Sequence, residues 1–121
     1  MQIKQLKDYC KKRNIDVINY DLDKQDKVIE LLEALKLKDF AATTDGFAYS
    51  SRSMDIVMLN VSTPKEAHIP VLAHEIGHHV LGHLKGGKKT SEHMELEANI
   101  FSCVLMALSV FNEICMKEVM A

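Results

Sequence analysis

His74-Glu75-Ile76-Gly77-His78 places two histidines four residues apart, with a glutamate directly after the first. On an α-helix, residues at this separation stand one above the other on a single face. His74 and His78 can therefore offer two imidazole nitrogens to one metal ion. Zinc accepts such nitrogens at roughly 2.0–2.1 Å, and a catalytic zinc takes three protein ligands and leaves a position for water. Glu75, beside the first histidine, is placed to take a proton from that water. The competing explanation is a polar helix face with satisfied histidines.

The surrounding sequence supports a helix here. Thr63-Pro64-Lys65-Glu66 combines a capping residue, a proline suited to the first helical position and a glutamate that completes a capping box. Pro70 predicts a kink, or a short turn at 64–68 followed by the main helix. Ile69, Leu72, Ala73, Ile76, Val80 and Leu84 form the expected core-facing side. Gly77 costs a helix about 1 kcal/mol relative to alanine, which a close approach of another backbone would explain.

Two histidines leave a catalytic zinc one ligand short. After Gly82, Gly86 and Gly87, a new helix capped by Thr90 or Ser91 carries Glu95-Leu96-Glu97-Ala98-Asn99. Two antiparallel helices would bring one of these carboxylates to the histidine pair. Glu95 shares a face with Asn99, which can hold an imidazole N–H as the outer partner of a ligand. That favours Glu95 over Glu97, the alternative third ligand. His79 and His83 share another face and are expected to be exposed. His68, His93 and Tyr49 are weaker candidates for polarising a substrate carbonyl. Cys103 is expected to be a buried structural thiol.

Elsewhere the chain predicts an amphipathic helix over 2–13 stopped near Asn14, and a strand at Ile15–Tyr20. A second helix, capped by Asp21 or Asp23, carries Val28, Leu31, Leu32 and Leu35 inward and ends near Lys38. Residues 40–60 read as β-prone segments, with an antiparallel hairpin ending in the buried strand Met54–Asn60. Beyond the metal region, Met94, Ala98, Phe101, Leu105 and Leu108 form an apolar side, with a break expected near Ser109–Asn112. The expected fold class is α+β: one small zincin-like domain over residues 1–121, with helices packed on a short, largely antiparallel sheet.

The chain has 121 residues, 47% hydrophobic and 26% charged, with a formal net charge of −2. This charge gives no general attraction to nucleic acid or anionic lipid. No apolar run approaches the roughly 20 residues of a membrane span. The first residues lack the apolar core of a signal peptide. Cys10, Cys103 and Cys115 are an odd number without close pairing, which suits a reducing cytoplasm.

The stretches His74-Glu75-Ile76-Gly77-His78-His79-Val80-Leu81-Gly82-His83 and Glu95-Leu96-Glu97-Ala98-Asn99-Ile100-Phe101 resemble the ImmA/IrrE family of zinc metallopeptidase-like proteins. The likeness covers roughly residues 45–108. It implies one Zn2+ held by His74, His78 and Glu95, with Glu75 as general base and Asn99 behind a ligand. It also implies a gluzincin-like metallopeptidase that cleaves or inactivates a helix-turn-helix repressor of a prophage or mobile element. The chain departs from the family pattern at Val104-Leu105-Met106-Ala107, which lacks the usual proline, and at Cys103, which interrupts a usually alanine-rich stretch. The rival expectations are a metal-stabilised anti-repressor that binds without cutting, and a toxin–antitoxin component.

Overall fold

The computed structural model describes residues 1–85 and 90–120, with side chains described as far as residue 110. In order, the elements are α1 (Ile3–Lys12), β1 (Ile15–Tyr20), α2 (Lys27–Ala34), α3 (Lys38–Ala42), β2 (Gly46–Ser50), β3 (Asp55–Asn60), α4 (Lys65–Val80) and α5 (Glu92–Met120). The fold is α+β, but its three-stranded sheet is mixed rather than largely antiparallel. The strand order is β1-β3-β2. β3 runs parallel to β1 and antiparallel to β2. Both helices α2 and α3 lie in the long connection from β1, so the chain re-enters the sheet at the far edge.

Central β3 is buried on both faces, with Ile56 to Leu59 each at 1% exposure or less. That explains its unbroken apolar run, the signature of a strand covered above and below. Val57 faces a core formed with Leu6 and Cys10 of α1 and Leu72, Ala73 and Ile76 of α4. Ile56 and Met58 face the opposite core, with Ile29, Leu32, Ala41 and Phe47. Helices α1, α4 and α5 thus form one layer, and α2 with α3 the other.

Several local expectations change. Asp26, not Asp21 or Asp23, caps α2, its carboxylate accepting from the Val28 and Ile29 amides. Phe40–Ala42 belong to α3 and not to a strand. The Tyr20 hydroxyl donates to the Ala41 and Thr44 carbonyls at 2.8 and 3.2 Å, fixing the end of that helix and the turn into β2. Pro64 occupies the N-cap of α4 and not its first helical position, and α4 continues through Pro70. Val80 is 41% exposed, because the helix ends there and turns away from the core. Asn14, at φ 57°, closes α1 in the left-handed conformation expected of it.

Helix α5 has no break near Ser109–Asn112. Its inner side packs through Ala98, Phe101 and Leu105, whereas Leu108 points outward. Leu96, Ile100, Val104 and Leu108 recur every fourth residue and are all more than half exposed. By length and composition alone, Glu92–Val110 is long and apolar enough to cross a membrane, although Glu92, Glu95 and Glu97 interrupt its apolar run. Cys103 is also exposed rather than buried, since it lies on this outer side. Burial pushes the Cys10 thiol up to about 11, against a smaller opposing effect of Arg13, as suits an inert core thiol.

Candidate metal centre

The crossing of α4 and α5 creates the site. A β-carbon added at Gly77 would lie 3.3 Å from Ala98 Cα and 3.0 Å from the Phe101 ring. The expected close approach is therefore present, and it brings the inner sides of the two helices within reach of each other. Gly46 plays a similar part at the sheet: a β-carbon there would stand 2.7 Å from Val71 and 2.9 Å from the Met58 carbonyl.

His74 and His78 project from successive turns of α4, and Glu95 meets them from the first turn of α5. His74 Nε2 lies 2.7 Å from Glu95 Oε2, His78 Nε2 lies 3.2 Å from the same oxygen, and the two nitrogens are 3.1 Å apart. These three atoms can hold a metal ion. Their outer partners establish which atoms face inward. His74 Nδ1 donates to Asn99 Oδ1 at 2.7 Å, so Nε2 is the nitrogen left to face a metal. Glu95 Oε1 accepts from the Thr90 hydroxyl at 2.7 Å, leaving Oε2 for the centre. Ser91, not Thr90, caps α5 by accepting from the Met94 amide.

Charges agree with this arrangement. Burial lowers the His78 pKa, partly offset by Glu95, so the ring is neutral near pH 7, as a ligand must be. With no ion bound, burial raises the Glu95 carboxyl, but hydrogen bonds from Thr90 and His74 and the charge of histidine protons outweigh it and hold it below the usual range; a metal would displace those protons. Two neutral imidazoles and one carboxylate form a donor set suited to zinc. Edges of 2.7–3.2 Å are slightly shorter than the roughly 3.3 Å of a tetrahedron with zinc-like arms. A small outward movement of the side chains would accommodate the ion. The residues fit the group.

Glu75 is directed into the adjoining cleft of about 350 Å³, together with His74, His78 and Glu95. Burial and the neighbouring Glu95 raise its pKa to about 8, against a hydrogen bond from the Ala48 backbone. The cleft is walled by Gly46, Phe47 and Ala48 of β2, an edge strand. Phe40 also lines it, 52% exposed and packed edge-on against Phe47 at 5.3 Å.

The other sequence candidates fall elsewhere. Glu97 turns away from the metal ligands toward His83 and His93, at 3.3 and 3.7 Å. His79 is half-buried, its Nε2 donating to the Ile56 carbonyl at 2.7 Å. His83 is buried at 6% exposure and not on the surface. The two have different causes: α4 ends at Val80, so His83 is not on the helix face assumed for it, whereas His79 is still on the helix but on the side that meets β3. Tyr49 packs into the core beyond the sheet, His68 faces the Thr63 carbonyl, and His93 is exposed. Sequence reasoning also missed Thr90 and Phe40. A threonine five residues before Glu95 was a usable signal; for Phe40 there was none, because its position depends on α3.

A family model described as IrrE N-terminal-like domain, Peptidase M78, matches residues 10–117. No curated protein and no solved structure matches.

Proposed function

This chain belongs to the IrrE N-terminal-like domain family, Peptidase M78, and from that premise we propose a zinc-dependent, zincin-like peptidase that cleaves a helix-turn-helix repressor. The observation that carries the hydrolytic reading is the meeting of His74 Nε2, His78 Nε2 and Glu95 Oε2, with the Glu75 carboxyl in the same cleft. A zinc ion bound there supplies Lewis acidity to the scissile carbonyl and to the attacking water. Glu75 accepts the water's proton as the C–O bond forms, and returns it to the amine as the C–N bond breaks. A cation beside Glu75 opposes the burial that raises its pKa, so metal loading and readiness of the base go together. Asn99 and Thr90 hold His74 and Glu95 in their required orientations.

The β2 edge beside the cleft suits an extended peptide, which can add a strand and present its backbone to the site. A repressor as substrate rests on the family resemblance, as does a role in prophage or mobile-element regulation. The proposed compartment is the cytoplasm, where the free thiols Cys10 and Cys103 stay reduced. The test is incubation of the zinc-loaded protein with the helix-turn-helix repressor encoded beside its gene. Fragments that disappear with a chelator support the peptidase. A stable complex without fragments overturns it in favour of an anti-repressor that acts by binding.

A further inference from the structure

The end of α4 is built in a way that the metal ligands alone do not explain. Leu81 is the C-cap, and Gly82 follows with φ 74°. The Gly82 amide donates to the His79 carbonyl at 3.2 Å, and the His83 amide donates to the His78 carbonyl at 3.0 Å. This is the Schellman pair of bonds, and it places the side chain after the glycine against the residue one turn from the helix end. Here those two residues are His83 and His78. Their Nδ1 atoms are 2.9 Å apart, in a buried contact.

The proton positions then follow in sequence. For His78 Nε2 to face the metal with a lone pair, His78 Nδ1 must carry the proton and donate it. His83 Nδ1 must accept, so the His83 proton lies on Nε2. That Nε2 is sealed from solvent and makes no well-aligned hydrogen bond. Glu97 Oε1 lies 3.3 Å from it. We propose that His83 and Glu97 form a positioning relay, in which Glu97 orients His83 and His83 holds His78 in its ligand tautomer. The relay rests on the metal reading above and extends it to two residues outside the metal's reach. It also gives each histidine ligand its own outer partner, Asn99 for His74 and His83 for His78.

The test measures zinc affinity by competition with a chromogenic chelator, with cobalt absorption as a second readout of ligand geometry. His83→Leu fills the space without an acceptor, and zinc affinity is expected to fall about 10–100-fold. His83→Asn places an oxygen near the position of Nδ1 and is expected to recover most of that loss, which a merely space-filling role would not allow. Glu97→Gln, at a half-exposed position that tolerates the change, is expected to weaken zinc binding and shift the cobalt spectrum. Wild-type affinity and spectrum in both His83→Leu and Glu97→Gln would overturn the relay, and if His83→Leu fails to fold, Glu97→Gln decides alone. His78→Ala separates the two levels: if it binds zinc as tightly as the wild type, the metal reading itself fails, whatever the relay variants do.

Discussion

Gly77 and Ala98 face each other closely across the α4–α5 crossing: a β-carbon on Gly77 would meet the Ala98 Cα at 3.3 Å and its carbonyl at 3.4 Å, a tight fit that α5 must yield to by a few tenths of an ångström. The ligand triangle depends on that separation, since His74 and His78 are on one helix and Glu95 is on the other.

Gly77→Ala sets two effects against each other. Alanine is favoured by about 1 kcal/mol in a helix, but its methyl group must push α5 outward against backbone. The expected result is no net stabilisation in thermal unfolding, together with weaker zinc binding as Glu95 is displaced. A protein stabilised by the full propensity gain, with unchanged zinc affinity, would show that the crossing has slack.

Glu75→Gln preserves the shape of the side chain and removes its ability to accept a proton. Zinc should remain bound, because residue 75 is outside the ligand triangle. Cleavage should fall by at least about 10²–10⁴-fold. Turnover close to wild type with full metal content would assign the base elsewhere.

The Glu75 contribution to the stability of the metal-free protein should be lost as pH rises. The Glu75 pKa is raised from 4.5 to about 8 in the folded state, chiefly by burial. Between those values the folded state binds more protons than the unfolded one, so unfolding free energy falls with increasing pH. The contribution is fully present below about 4.5 and lost through about 8. Because burial lowers the His78 pKa and so acts in the opposite sense in this window, the quantity to follow is the melting temperature of wild type minus that of Glu75→Gln, measured in chelator, which should fall as pH rises. A difference that stays constant or rises with pH would contradict the burial of this carboxyl.

Tyr20→Phe removes the hydroxyl that donates to the Ala41 carbonyl, whereas the Thr44 carbonyl keeps its bond from Asn60 Nδ2. Leaving the Ala41 carbonyl without that donor costs about 1–3 kcal/mol. Chemical denaturation should show that loss while zinc affinity stays unchanged, because the ligands belong to α4 and α5. A variant as stable as wild type would mean that α3 and the turn into β2 do not depend on this anchor.

The parts of this fold that were legible in the sequence are those governed by local chemistry. The 2–13 helix ended where Asn14 could turn, and Gly77 correctly signalled a close helix contact. The four-residue spacing of His74 and His78 required no tertiary information to place both rings together. The parallel pairing of β1 with β3 was not legible, because the crossover through α2 and α3 is set by long-range packing. Phe40–Ala42 were read with the β-prone residues that follow, although two alanines favour a helix, and they complete α3, whose Ala41 carbonyl accepts from the Tyr20 hydroxyl. His83 was misplaced because the apolar pattern continues to Leu84 while the backbone stops at Val80. Gly82 was the available signal, since a glycine just past a helix end commonly reverses the chain.

The most direct test is the metal content of the purified chain, measured by mass spectrometry after zinc loading and removal of loosely held ions. The expected result is one zinc per wild-type chain, lost in His78→Ala and in Glu95→Ala while both variants remain folded. Equal zinc in wild type and in folded forms of both variants would contradict a centre made by His74, His78 and Glu95.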